Sequence, residues 1–530
     1  METMKLVILE TSDVHGNIYP ISYANNERRD LGMGRIATLV RRERKACPNV
    51  LLIDDGDMIQ GTPLLYYYAR FDDRRPNPMI VLANRLGYDC AVFGNHEFDF
   101  GIGLLAETVR NSAFPWLAAN ILDRKTGKPF FGRPYIIKTF ANGLRAAVLG
   151  LTTKYIPNWE NAENIPDMQF ADPVEAAKKW VPVLKERKRA DIIIVSYHGG
   201  FERNLETSET EGKPTGENQG YRLCMEVPDI DVLLTGHQHR LIGGRQIKGV
   251  TVVQPGSNGS FLGRVTLDLV RKGGRWSITG KVSDLLSVRA VPEDRELLKL
   301  TDGYEKDTQA WLDRPLGRIE GDMTVGDPMD VRMHDHPLIE FINDLQMKVS
   351  GADISSTALF NNESPGLPHD VSMRDIVANY IYPNTLRVIR ISGRDMLDAL
   401  ERSASYFKQY DGEPHKDGES FTAPKLQHYN YDMWEGIDYV IDISKPVGRR
   451  ITKLEYHGEP VQMGRNYDVV MNNYRSGGGG DYLMFRNKPV VKDIPVDVSE
   501  IIANEILEKK VIRAKVNNNW KLIPSRQDGA

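Results

Sequence analysis

Five short stretches of this chain carry side chains that could hold a metal ion, and each follows a run of apolar residues. They are Ser12-Asp13-Val14-His15-Gly16, Asp55-Gly56-Asp57, Gly94-Asn95-His96-Glu97-Phe98-Asp99, Ser196-Tyr197-His198-Gly199-Gly200 and Thr235-Gly236-His237-Gln238-His239. Each offers a carboxylate, an imidazole or an amide oxygen beside a glycine that permits close backbone approach. Of the 11 histidines only five fall in residues 1–330, and all five lie in these stretches. A lone histidine is ordinarily a surface or satisfied core residue. Chance is the weaker reading here, because it must place every one of them at a strand end. Mixed Asp, His and Asn ligation suits zinc, manganese, cobalt or iron better than calcium. The candidates Asp13, His15, Asp57, Asn95, His198, His237 and His239 are too many for one ion and fit two, with one carboxylate shared. Two ions about 4 Å apart can clamp a phosphoryl group and activate the water between them.

The elements that must position these groups are legible as apolar runs. Strands are expected at Leu6–Leu9, Val50–Ile53, Ala91–Phe93, Ala146–Leu149, Ile192–Val195, Val232–Leu234 and Val250–Val253. Helices are expected at Gly34–Lys45, Met79–Leu86, Ile102–Asn111 and Pro173–Lys185. Continuous apolar strands alternating with helices predict a layered α/β domain whose sheets are covered by helices. Ligands in such folds sit beyond the carboxyl ends of strands. Gly94 is expected to turn the chain sharply after its strand, with Glu97 and Phe98 serving spacing and packing.

The expected division is residues 1–290, a linker helix or hinge at 291–320, and 321–530. The linker carries Leu297, Leu298, Leu300 and Tyr304 at near-helical spacing. The second half, of α+β type, opens on an amphipathic helix, Pro337–Val349, with proline at its first turn. It continues with a strand at Leu386–Ile391, a helix to about Phe407, strands at Tyr439–Ile443 and Tyr467–Met471, and the loop Gly477–Gly480.

Composition narrows the function classes. The chain has 530 residues, 41% hydrophobic and 26% charged, which is ordinary globular composition. A net charge of -4 gives no sign of a protein that coats nucleic acid. Cys47, Cys90 and Cys224 form neither a disulfide framework nor a Cys-x-x-Cys metal site. No apolar run approaches the ~18 residues of a membrane span. These features predict a cytoplasmic location for the chain as it stands, with export open if a leader precedes it. Oligomeric state is not legible.

The five stretches together resemble those of the calcineurin-like metallophosphoesterase superfamily. Within it the chain resembles the two-domain family of 5'-nucleotidases, UDP-sugar hydrolases and 2',3'-cyclic-nucleotide 2'-phosphodiesterases with 3'-nucleotidase activity. The resemblance implies one ion on Asp13, His15 and His239, and another on Asn95, His198 and His237, with Asp57 bridging. It implies that His96 faces the substrate phosphate as a catalytic group and that Asp99 orients its imidazole. It implies that the sheets of the first half pack as a β-sandwich flanked by helices, an αββα layering, and it makes residues 321–530 the nucleotide-specificity domain. There, two aromatic rings hold the base, falling by position on Tyr431 and Tyr474, with Asn361 and Asp481 as further substrate contacts.

Two features favour the cyclic-nucleotide branch. His239 stands where some 5'-nucleotidases have Gln, and Phe360–Gly366 lacks the arginine of the 5'-nucleotidase phosphate segment. The tract Met373–Thr385 resembles the same branch. Asp99 points the other way, because Asn is often found there in that branch. The expectation is a hydrolase of 2',3'-cyclic and 3'-nucleotides. A 5'-nucleotide, UDP-sugar or non-nucleotide ester is the alternative, and a non-catalytic nucleotide- or metal-binding protein is more distant. His334-Asp335-His336 is read as a helix lead-in, and Arg41–Lys45 as an exposed helical face.

Overall fold

Strand alternation explains how the first half packs. In a computed structural model, residues 2–158, 160, 162–210, 215–380, 382, 384–412, 421–422, 426–494 and 496–524 are described. Ile381 and Pro383 of the Met373–Thr385 tract lie outside these residues. The chain divides into two compact units, Met1–Thr308 and Gln309–Ala530.

The first unit holds two six-stranded mixed sheets. One runs in the order Arg275–Ser287, Phe261–Lys272, Glu2–Thr11, Val50–Asp54, Cys90–Val92, Trp116–Leu117. The other runs Leu241–Ile247, Val250–Pro255, Val232–Thr235, Ile192–His198, Arg145–Thr152, Tyr135–Thr139. Successive strand residues point to opposite faces, so each strand serves two cores. Leu6, Ile8, Leu51, Ile53 and Val92 share one buried cluster with Ala146, Val148, Ile192, Ile194, Val232 and Leu234. The intervening Ile193, Val195 and Leu233 pack with Val174, Ala177 and Val181 of the helix Pro173–Pro182. This is why the strands read as unbroken apolar runs: both faces are covered.

Glu2–Thr11, Val50–Asp54 and Cys90–Val92 run parallel, as do Arg145–Thr152, Ile192–His198, Val232–Thr235 and Val250–Pro255. Parallel strands end on the same side. Thr11, Asp54 and Val92 in one sheet, and His198 and Thr235 in the other, therefore release their loops at carboxyl edges.

Several elements differ from expectation. The strands Tyr135–Thr139, Leu241–Ile247, Phe261–Lys272 and Arg275–Ser287 have no counterpart among the expected ones, and two helical segments also depart from it. Pro63–Phe71 is a helix, capped by the Thr62 side chain accepting from Leu65 N. Its Tyr66-Tyr67-Tyr68 run gave no helical period. The expected linker helix is broken into Arg295–Leu298, a 3-10 turn at Lys299–Thr301 and Asp302–Leu312. That turn rotates Leu300 to the surface, where it is 43% exposed, while Leu297 and Leu298 stay buried.

The second unit is built on a five-stranded sheet in the order Asp432–Glu435, Ile354–Ala358, Asn466–Asn472, Leu386–Ser392, Val490–Ile494. A four-stranded sheet contains Asp438–Asp442 and Trp520–Ile523. The helix Pro337–Ser350 buries Leu338, Ile342 and Leu345 and ends at Gly351 in the left-handed region. His336 caps it, its Nδ1 accepting from Leu338 N at 3.2 Å, and Asp335 accepts from Asn518 N at 2.8 Å. The His-Asp-His motif is thus a helix lead-in with structural bonds.

Asp335, Glu340 and Glu435 bring their carboxylates together in this unit. Burial first, then the charges of Asp335, Glu340 and Asp344, push Glu435 up to about 8 against the pull of the Asn517 hydrogen bond. A folded-state pKa above the unfolded one means that the unfolded chain loses its proton first. This contribution is therefore fully present below about 4.5 and is lost as pH rises through about 8. Glu435→Gln should raise the unfolding temperature at pH 8.5, corresponding to roughly 1–3 kcal/mol, and change it little at pH 5. Thermal unfolding of the full chain at the two pH values checks this; equal shifts at both would refute the assignment.

Candidate active site

The first two loops are joined by backbone bonds before any side chain takes part. Asp13 N donates to Gly56 O at 2.9 Å, His15 N to Asp57 O at 2.9 Å and Gly16 N to Met58 O at 3.0 Å. This continues the strand pairing past the ends of the strands. Asp13, His15, Asp57, His237 and His239 all have positive φ, between 49° and 67°. Non-glycine residues rarely adopt this region, and such strain persists only where surrounding bonds over-determine it. Here those bonds are present: His237 N donates to both Asp13 oxygens, at 3.0 and 3.1 Å, and Asn258 N donates to Asp13 O at 2.7 Å.

Glu97 does more than fill space. Its carboxylate accepts from Gly94 N at 2.6 Å, Asp57 N at 2.8 Å, Met58 N at 2.7 Å and Ile59 N at 3.3 Å. One buried side chain thereby fastens the second loop to the third. Gly94 also has a different role from the expected turn. It lies outside the left-handed region, and a Cβ there would stand 2.2 Å from Asp57 Oδ1 and 2.6 Å from Asp57 N. It is glycine because Asp57 occupies the space. Asp57 Oδ1 in turn accepts from His96 N at 2.8 Å.

The side chains form two groups, Asp13 with His15 and His239, and Asp57 with His198 and His237. In the first group, His239 Nε2 lies 3.1 Å from His15 Nε2 and 3.4 Å from Asp13 Oδ1. In the second, Asn95 Oδ1 lies 2.9 Å from His237 Nδ1 and 3.3 Å from His198 Nε2, and His198 Nε2 lies 3.2 Å from Asp57 Oδ2. All seven expected ligand side chains are therefore gathered into these two neighbouring sets.

The hydrogen bonds on the far sides of the rings test whether a cation fits. His198 Nδ1 donates to Asp55 O at 2.6 Å, and His237 Nε2 donates to Glu217 Oε1 at 2.8 Å. Neutral rings so bonded aim lone pairs from His198 Nε2 and His237 Nδ1 toward the Asn95 oxygen. Three electron-rich atoms facing one another require a positive charge. Burial lowers the pKa of His198, but Asp57, Asp13 and Asp55 outweigh it and raise it well above the ordinary value. A divalent ion fits where that proton would go. His15 is held down to about 3, burial outweighing Asp57, and so is the neutral imidazole that ligation needs. The Asp13 carboxyl is held well below its usual range: burial raises it, but the hydrogen bond and charge of His239 prevail.

His96 stands beside this cluster with its ring centroid 5.4 Å from that of His15. Its Nδ1 meets Asp99 Oδ2 at 2.9 Å. Burial would lower its pKa, but the charges of Asp99 and Asp57 and the Asp99 hydrogen bond raise it to about 10. These neighbours favour the protonated ring, with Asp99 first among them.

The expected nucleotide contacts are less uniform. Tyr474 is half-buried, Asp481 is exposed and Asn361 is half-buried, its Oδ1 accepting from Glu363 N at 2.7 Å. Tyr431 is corrected: it is 1% exposed and packs against Tyr406 and Phe407 in the core, so no base can stack on it. Two residues earlier, Tyr429 is half-buried and meets Tyr382 edge-on at 6.0 Å. Arg475 joins the two stretches. Its guanidinium binds Asp432 at 2.7 and 2.9 Å, donates to Tyr429 O at 3.3 Å and to Gly479 O, and lies 5.6 Å from the Tyr474 ring centroid. Gly480, at φ 71°, lets Arg475 and Asn430 pass where a Cβ would collide. The glycine loop is an arginine-pinned turn.

Residues 6–241 match the calcineurin-like phosphoesterase family, and residues 315–487 match the 5'-nucleotidase C-terminal domain. A Staphylococcus aureus protein provisionally described as a 5'-nucleotidase, solved in complex with alpha-ketoglutarate, is 32% identical. The match covers 98% of this chain and 99% of that one, with a TM-score of 0.89. A 2',3'-cyclic-nucleotide 2'-phosphodiesterase/3'-nucleotidase of Salmonella typhimurium is 28% identical over all of this chain and 90% of its own length. The trifunctional nucleotide phosphoesterase protein YfkN of Bacillus subtilis is 28% identical, and this chain spans 39% of it.

The chain belongs to the calcineurin-like metallophosphoesterases, in the two-domain form that carries a 5'-nucleotidase C-terminal domain. It is a metal-dependent hydrolase of phosphate esters. Among the described residues, no helix is long and apolar enough to cross a membrane.

Sequence reasoning missed Glu97 and Glu217. Glu97 could have been suspected from its place between two expected site residues. Glu217 is one acid in a polar segment without periodicity. Glu97→Ala should strip acceptors from four backbone donors, costing about 3 kcal/mol or more. It should also lower the metal retained after dialysis, measured by elemental analysis beside thermal unfolding. Wild-type metal content and stability would refute the clamp.

Proposed function

We propose that this chain hydrolyses 2',3'-cyclic nucleotides to 3'-nucleotides and these to nucleosides. The observation that carries the reading is the gathering of seven ligands beside His96 in a chain that aligns end to end with the Salmonella cyclic phosphodiesterase.

Asp13, His15 and His239 would hold one divalent ion and Asn95, His198 and His237 the other, with Asp57 between them; zinc, manganese, cobalt and iron all suit the donors. Such ions, when bound, polarise phosphoryl oxygens and lower the pKa of coordinated water. His96 keeps its Nδ1 proton on Asp99 and offers Nε2–H to the phosphoryl or leaving oxygen. With a cyclic substrate a water oxygen bonds to phosphorus and gives up a proton to solvent as the P–O2' bond breaks and the 2'-oxygen takes a proton; with the 3'-phosphate the P–O3' bond breaks in the same way. Tyr474, with Tyr429 in place of Tyr431, would hold the base, because aromatic stacking tolerates any base. Asn361 and Asp481 would contact the rest of the nucleotide. Residues 291–320 would serve as the hinge between a catalytic part, 1–290, and a specificity part, 321–530.

Initial rates with 2',3'-cyclic AMP, 3'-AMP, 5'-AMP and UDP-glucose in added manganese or zinc test the substrate. The first two should be preferred, and a clear preference for 5'-AMP would overturn the assignment in favour of 5'-nucleotidase activity. His96→Ala should lower kcat on the order of a hundredfold with metal content unchanged. Undiminished turnover would remove His96 from the mechanism.

A further inference from the structure

Glu217 is held with more care than a surface acid needs. It lies between the strands Ile192–His198 and Val232–Thr235, in the turn before the helix Gly220–Glu226. Its backbone carbonyl accepts two hydroxyl bonds, from Thr153 Oγ1 at 2.7 Å and Tyr197 Oη at 3.1 Å. The next residue, Asn218, accepts from Gly200 N at 2.8 Å, and Gly220 N donates to Gly200 O at 2.9 Å. Gln219 Nε2 closes the turn on Gly216 O at 3.1 Å. These bonds tie the turn to the loop that follows His198. The product of this bracing is one carboxylate, 28% exposed, at 2.8 Å from His237 Nε2.

An imidazole can ligate through either nitrogen, and the partner on the other nitrogen decides which. His237 has positive φ and is fixed at its backbone by Asp13. Its ring still has freedom about χ angles and a choice of tautomer. A carboxylate on Nε2 removes both: it keeps the proton there, leaves the Nδ1 lone pair toward Asn95 Oδ1, and makes that nitrogen a stronger donor. His198 obtains the same service from the Asp55 carbonyl.

We propose that Glu217 is a positioning residue that fixes His237 as a metal ligand through Nδ1. This rests on the metal-centre reading above. Glu217 touches no reacting atom; it acts through His237, and it assigns the two ions unequal support. One is backed by a backbone carbonyl and a carboxylate, while removing Glu217 should leave the Asp13–His15–His239 set intact.

The test is calorimetric titration of chelator-treated full-length protein with Mn²⁺, and separately with Zn²⁺, with metal counted by elemental analysis. Wild type should take up two ions per chain. Glu217→Ala should weaken one of the two by roughly ten- to a hundredfold and leave the other unchanged. Glu217→Gln, whose amide oxygen still accepts from Nε2–H, should recover most of the loss. Nitrogen-detected NMR of the His237 ring should show one tautomer in wild type and Glu217→Gln and a mixture in Glu217→Ala. Two ions bound by Glu217→Ala with wild-type affinity would overturn the proposal, as would equal losses in the Ala and Gln variants, which would assign the effect to charge. Should Glu217→Ala fail to fold, the Gln variant decides: wild-type tautomer with near-wild-type affinity supports orientation, and loss of one ion refutes it. Wild type binding fewer than two ions would instead overturn the metal-centre reading itself.

Discussion

Negative charge buried at the strand ends is the constraint to which the rest of the first unit answers. Glu10, Asp13, Asp54, Asp55, Asp57 and Glu97 are each at most 2% exposed. Burial raises the pKa of Glu10, Asp54 and Asp55 well above the carboxylate range, whereas Asp13 and Asp57 are held below it by the histidines around them. Glu97 is likewise raised by burial, to about 7, so the cluster separates into acids pushed up by burial and two, Asp13 and Asp57, pulled down by histidines. Asp54 accepts from Thr11 Oγ1 at 2.6 Å and from Gly56 N at 3.0 Å, and Asp55 takes a hydroxyl bond from Ser196. An uncompensated carboxylate in such a place is expensive. Cations held at Asp13 and Asp57 would relieve that expense, which would couple metal binding to folding.

The two sheets meet this constraint with parallel strands. Parallel pairing releases all five loops at carboxyl edges, and Glu97 then binds two of them into one body. Rigidity therefore comes from backbone amides held by buried carboxylates, Glu97 above all, with Asp13 and Asp57 adding to it. That order matters for catalysis, because a site preorganised by its scaffold need not be rebuilt each time substrate binds.

Much of this was legible in the sequence, for physical reasons. Strands covered on both faces must be apolar throughout, so Ile192–Val195 and Val232–Leu234 stood out. Histidine is scarce in the first half, so its confinement to strand ends carried information. Other features had no such signature. The consecutive tyrosines of Pro63–Phe71 show no period of either kind. Glu97 was read as a spacer because its partners are backbone amides of a loop some 40 positions away. Tyr429 and Tyr431 share one parity ahead of the strand Asp432–Glu435, so alternation could not tell which ring is core; packing against Tyr406 decides it. Glu217 acts through a residue 20 positions away, and only the fold brings them together.

The left-handed backbone at five of the proposed ligands bears on which sequences can inhabit this scaffold. Asn and Asp tolerate that region and glycine adopts it freely, whereas β-branched residues do not. Neutral drift at these positions is therefore channelled: a lineage that lost the metals could pass through Asn, Asp or Gly and keep its loops. Val, Ile or Thr would lose loop and ligand together. The shape of the site can thus outlive its chemistry along some mutational routes and not others.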